Sequence, residues 1–87
     1  MFKVEYTESA LKDLKKLDKY TRKLILAWIE KNLVNCSDPR MHGKGLVSNR
    51  SGQWRYRIGD YRIIADIQDN KLIILIIGAG HRRNIYD

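Results

Sequence analysis

The chain has 87 residues, 44% of them hydrophobic, enough for one modest core but not a second domain, and too apolar for wholesale disorder. Seventeen Lys and Arg against ten Asp and Glu leave a formal charge of +7. Such a surplus attracts polyanions, nucleic acid first among them, although a basic domain also serves solubility or an acidic protein partner.

The single cysteine, Cys36, excludes an internal disulfide, and with only His42 and His81 beside it no metal site and no cofactor is expected. No apolar stretch follows Met1–Tyr6, so a signal peptide is not expected. The longest apolar run, Leu72 to Ile77, falls far short of the roughly 20 residues that span a bilayer. A cytoplasmic, reducing location with no membrane contact fits these features.

In chain order, Phe2, Val4 and Tyr6 alternate with Lys3, Glu5 and Thr7, the period of a half-buried strand. Thr7 or Ser9 can cap a helix carrying Ala10, Leu11, Leu14 and Leu17, with Lys12, Lys15 and Lys16 on its other face. After a break near Asp18-Lys19-Tyr20, a second helix carries Leu24, Ile25, Trp28, Ile29 and Leu33, and so short a link makes an antiparallel helical hairpin. Asp38-Pro39 marks its stop. From Asn35 to Gln53 periodicity is lost, and one short extended piece is expected around Lys44 to Val47. Three strands follow, Gln53 to Ile58, Tyr61 to Gln68 and Lys71 to Ile77, joined by two-residue turns at Gly59-Asp60 and Asp69-Asn70. The expected fold is a single α+β domain over residues 1–87, ordered β-α-α-β-β-β, with the helical hairpin on one face of a small, largely antiparallel sheet.

The first turn fixes the register. With Gly59-Asp60 as the loop, Arg57 faces Arg62 and Arg55 faces Ile64. Trp54, Tyr56, Ile58, Tyr61, Ile63, Ala65 and Ile67 then share the face that meets the helices, and Arg55, Arg57 and Arg62 share the other. Like charges directly opposite each other destabilise a sheet, so the pair is expected to work on an anion. Across the second turn, residue 77 comes level with Arg62. The tail from Gly78 would therefore leave the sheet at the arginine end and bring His81, Arg82, Arg83 and Tyr86 to the cluster. Convergent guanidinium groups suit a phosphodiester, whose oxygens they grip in pairs and whose transition-state charge they offset. A tyrosine adds a base-stacking surface or a proton relay.

Plainer roles stand beside these. The arginines can form a solvated outer face, and His81 can be a surface or capping residue. Lys12, Lys15, Lys16, Lys19, Arg22 and Lys23 can be ordinary wet helix faces that add sequence-independent attraction to RNA. Trp28 and Trp54 read as core anchors, and Cys36 as inert.

Leu14-Lys15-Lys16-Leu17, Asp38-Pro39-Arg40, His42-Gly43-Lys44 with Leu46, the run Gly52 to Arg62, and Gly80-His81-Arg82-Arg83-Asn84-Ile85-Tyr86 together resemble the RelE/ParE toxin superfamily. Each motif is short; their order through nearly the whole chain is specific. In the RelE branch the resemblance implies a type II toxin that cuts mRNA in the ribosomal decoding site without a metal, by attack of the 2′-hydroxyl on the adjacent phosphate. It also implies a RelB-like antitoxin as partner, with DNA contacted only through that antitoxin. Carried over position by position, the implied catalytic residues are Arg55, Arg57, Arg62, Arg82 and Tyr86. His81 joins them as a candidate, and Lys44, Arg50 and Arg83 are candidate RNA contacts.

One departure matters. The family pattern has lysines where Arg55 and Arg57 stand, and arginine is a poor proton acceptor. His81, the ribosome, or slow cleavage are the alternatives this leaves. Two other functions share the fold or the charge: a ParE-like gyrase inhibitor without nuclease activity, and a non-catalytic basic module that binds RNA or protein.

Overall fold

In the computed structural model, which describes residues 1–45 and 53–83, the order is β1 (Lys3–Tyr6), α1 (Glu8–Lys15), α2 (Lys19–Asn32), β2 (Lys44–Gly45), β3 (Gln53–Ile58), β4 (Tyr61–Gln68) and β5 (Ile73–His81). The strands form one mixed sheet in the order β1-β5-β4-β3-β2, parallel only between β1 and β5. This is the α+β arrangement expected from the sequence. Among the described residues no helix is long and apolar enough to cross a membrane.

Local chemistry sets each boundary. Thr7 caps α1, its hydroxyl accepting from the Ala10 N–H at 3.1 Å. Asp18 caps α2, accepting from both the backbone and the hydroxyl of Thr21. The Arg22 guanidinium then donates to the Leu14 and Leu17 carbonyls, tying the start of α2 to the end of α1. The second helix ends at Asn32, before the expected stop. Asn35 takes a left-handed φ of 63°, and Asp38-Pro39 instead opens a short 3-10 turn whose Arg40 N–H is capped by Asp38.

The core lies between the helices and one face of the sheet. Ala10, Leu14, Ile25, Ile29 and Leu33 meet Tyr56, Ile58, Ile63, Ala65, Ile67, Ile74 and Ile76 there, with Trp28, Trp54 and Tyr61 packed at its margin. These are the alternate positions that period-two patterning assigns to that face. The buried Tyr56 hydroxyl donates to the Pro39 carbonyl at 2.6 Å, and the Trp54 indole donates to the His42 carbonyl, so the 3-10 segment is pinned over the end of the core.

The last strand departs from expectation. The link after β4 is a 3-10 turn over Asp69–Lys71 followed by Leu72 at φ 55°, not a two-residue turn. Pairing restarts at Gln68 with Ile73, two residues later than a tight turn allows. A bulge between the Ile64–Gly78 and Ala65–Ile76 pairs absorbs one more residue. Gly80, not Ile77, therefore stands opposite Arg62, and Gly78 to His81 remain within the sheet.

Candidate active site

The hairpin of β3 and β4 carries the arginines. Gly59 takes φ 60°, the left-handed value that the first position of a type II′ turn requires, and no neighbour crowds it. The turn fixes Ile58 opposite Tyr61, Arg57 opposite Arg62 and Arg55 opposite Ile64, as the register argument anticipates.

Arg55 is 6% exposed, Arg62 is half-buried and Arg57 is exposed, so the row grades from interior to solvent. Burial, then the charges of Arg62 and Arg57, push the Arg55 pKa below its ordinary value. The guanidinium nevertheless stays protonated at physiological pH.

Lys44 stands opposite Arg55 on β2, and Gly43, Lys44, Arg55 and Arg57 line a shallow cavity of about 230 Å³. Gly43 makes this approach possible. It sits at φ 76°, and a Cβ there would collide with the Arg55 carbonyl oxygen and lie 2.8 Å from the Trp54 indole nitrogen. The sequence marks Gly43 only as part of the His42-Gly43-Lys44 motif in an aperiodic loop; its role appears once β2 is seen lying on β3.

At the other end of the row, the Arg82 N–H donates to the Asp60 carbonyl at 2.8 Å, one step beyond the His81–Tyr61 pair. The Arg82 guanidinium lies 3.9 Å from the Asp60 carboxylate. Asp60 is a neighbour that turn chemistry alone does not flag. Arg82 lies one residue past the end of β5, held beside the Gly59-Asp60 turn by its backbone bond to Asp60.

His81 goes elsewhere. It pairs with Tyr61 on the helix-facing side, and the two rings meet edge-on at 5.3 Å and 84°. The three-residue shift in β5 register explains why it does not join the arginines. Arg83 is exposed, its N–H donating to His81 Nδ1. Tyr86 and Arg50 lie outside the described residues, as does the expected extension of β2 through Val47.

Lys44, Arg55, Arg57 and Arg62 thus span one side of a sheet whose other side is apolar, with Arg82 beside the turn at its end. Such a row can grip consecutive oxygens of an anionic backbone and offset charge that develops on a phosphate. Its guanidinium groups are poorly suited to accept a proton.

The comparisons agree with this fold. The family model for the ParE toxin of type II toxin–antitoxin systems matches residues 4–86. The toxin–antitoxin complex RelBE2 from Mycobacterium tuberculosis is similar at 26% identity and TM-score 0.84, over 95% of this chain and 93% of that one. The isolated RelE toxin of E. coli is similar at 19% identity and TM-score 0.72, over 93% and 84% of the two chains. The archaeal RelE–RelB complex from Pyrococcus horikoshii OT3 is similar at 22% identity and TM-score 0.70, over 97% and 98%. No curated protein matches the sequence.

Family model and fold together make the chain a small toxin of the RelE/ParE type. The chain belongs to the ParE toxin family of type II toxin–antitoxin systems, within the RelE/ParE superfamily.

Proposed function

We propose that this toxin is an endoribonuclease that cuts messenger RNA on the ribosome, with the scissile phosphate held against Arg55, Arg57, Arg62 and Arg82. The observation that carries the reading is the direct cross-strand pairing of Arg57 with Arg62, one step from the Lys44–Arg55 pair. Two guanidinium groups held side by side on one face of a small sheet form a surface suited to gripping the oxygens of a phosphate.

In the proposed step the 2′-oxygen bonds to the adjacent phosphorus as the bond to the 5′-oxygen breaks. The products are a 2′,3′-cyclic phosphate and a 5′-hydroxyl. The guanidinium groups stabilise the charge on the equatorial oxygens, the part a metal plays in other nucleases. They stay protonated, so the proton leaving the 2′-oxygen and the one reaching the 5′-oxygen travel through solvent or ribosomal groups. Tyr86, assigned by resemblance, is proposed to stack on a base beside the cleavage point. The site of action is then the cytoplasm.

The solved relatives include toxins held by RelB antitoxins, which supports a RelB-like partner here. An acidic segment of that partner would neutralise the arginine row, and any DNA contact would come through it.

Because the matched family model bears the ParE name, gyrase inhibition is the second reading. Primer extension on messages from cells expressing the toxin separates the two. The nuclease reading expects breaks phased with the reading frame, lost in Arg62→Ala. Intact messages with loss of gyrase supercoiling would replace it with the second.

A further inference from the structure

On the helix side of the same sheet end lies a cleft of about 450 Å³ that the arginine chemistry leaves unused. Asp13, Lys16 and Leu17 of the α1 end form one wall, and Tyr61, Gly80 and His81 form the other. Tyr61 and His81 present two rings fixed at right angles. The Arg83 N–H donates to His81 Nδ1 at 3.2 Å, so in the neutral ring the proton sits on Nε2, available to donate. Asp13 is anchored as well, one carboxylate oxygen accepting from the Ala79 N–H at 3.1 Å.

The cleft and the arginine row alternate along the same residues. Tyr61 precedes Arg62, His81 precedes Arg82, and Gly80, which lines the cleft, is the cross-strand partner of Arg62. A strand of RNA gripped at Arg62 and Arg82 therefore needs only to round the exposed Arg82 end of the sheet for its next nucleotide to reach the helix side.

We infer that this cleft is a nucleobase subsite, taking a base that flanks the scissile phosphate and carries an exocyclic amino group; the inference rests on the nuclease reading above. Unstacked bases of single-stranded RNA are held by stacking on Tyr and His and by hydrogen bonds to their edges. Here the rings and Leu17 supply the stacking surface, and Lys16 draws in the phosphate. Asp13 sets the preference, since a carboxylate accepts from a base amino group. The same carboxylate repels an acidic protein segment, which argues against an antitoxin side chain as the occupant.

The test is an NMR titration of the full-length toxin with AMP, UMP and ribose 5-phosphate, following the ring protons of Tyr61 and His81. AMP should shift both rings and bind at least about fivefold tighter than UMP, a margin in line with one added hydrogen bond. Ribose 5-phosphate should leave both rings unmoved. Asp13→Asn, whose amide oxygen can still accept from Ala79, should erase the preference for AMP over UMP, and Lys16→Glu, at an exposed position, should weaken both nucleotides.

Rings unmoved by AMP in a toxin whose cleavage is lost in Arg62→Ala would overturn the subsite and leave the nuclease reading standing. A hexaglutamate peptide that shifts the rings more strongly than AMP would overturn it too, giving the cleft to a protein partner. AMP shifts in a toxin that leaves messages intact would remove the nuclease reading and with it the flanking-base role.

Discussion

Arg57 and Arg62 stand directly opposite each other across the β3–β4 hairpin, two cations on one face with Arg55 next along the strand. On the proposed nuclease reading, function and stability pull against each other at this pair. Arg57 is exposed, so Arg57→Thr should relieve the repulsion and raise stability by about 0.5 kcal/mol, roughly 3 °C in Tm for a domain of this size. The same variant should cut messages at least about tenfold more slowly, the cost of one lost charge-assisted contact in the transition state. Thermal unfolding beside single-turnover cleavage checks both halves, and a drop in both would deny the trade-off.

Gly43 permits β2 to lie on β3. Gly43→Ala would place a Cβ against the Arg55 carbonyl oxygen at a left-handed φ, a strain of about 1–3 kcal/mol before any clash is counted. The urea midpoint should fall accordingly, and cleavage should fall with it because Lys44 loses its place beside Arg55. A midpoint unchanged from the parent would show that β2 does not depend on this contact.

Tyr56 links the core to the 3-10 segment through its bond to Pro39. Burial raises its pKa above the ordinary 10.0, so the folded protein keeps the phenol neutral where the unfolded chain ionises it. That contribution is whole below pH 10 and is lost as pH rises beyond it. Tyr56→Phe should lower stability at neutral pH by about 1–2 kcal/mol, because a buried carbonyl loses its donor. It should also flatten the alkaline fall in the urea midpoint, and an equally steep fall in the variant would assign it to another group.

Asp18 and Asp69 act at the other end of the scale. Hydrogen bonds from Thr21 to Asp18, and from Arg40 to Asp69, hold both carboxyls below the ordinary 3.8. Their contributions are present above that value and disappear as pH falls through the lowered pKa values. Asp18→Asn and Asp69→Asn should each make the acid end of a Tm-against-pH curve shallower. Salt should weaken the Asp69 effect more, because its partner is an exposed Arg40 guanidinium.

Where short-range rules governed the chain, the sequence was easy to read. Strands β3 and β4 end where Gly59-Asp60 and the alternating apolar residues require, and the Arg57–Arg62 pair follows from that single turn. The position of His81 was not legible, because two local features upstream compound. Leu72 adopts a left-handed conformation that only Gly, Asn or Asp takes readily, and nothing in the unbroken apolar run from Ile73 to Ile77 marks the bulge at its end. Together they move β5 by three residues, carrying His81 to the Tyr61 side and Gly80 to Arg62. The role of Gly43 was hidden for a different reason: a close approach between segments twelve residues apart leaves no periodic trace in either.

Cleavage of a message on a stalled ribosome, with one nucleotide of the codon in the decoding site replaced by its 2′-deoxy form, measures whether the 2′-hydroxyl is the attacking group. The toxin should cut the all-ribose message to a 2′,3′-cyclic phosphate end, spare the message lacking the attacking hydroxyl, and lose activity in Arg62→Ala. Equal cutting of the deoxy-substituted message, or full activity in Arg62→Ala, would rule this mechanism out.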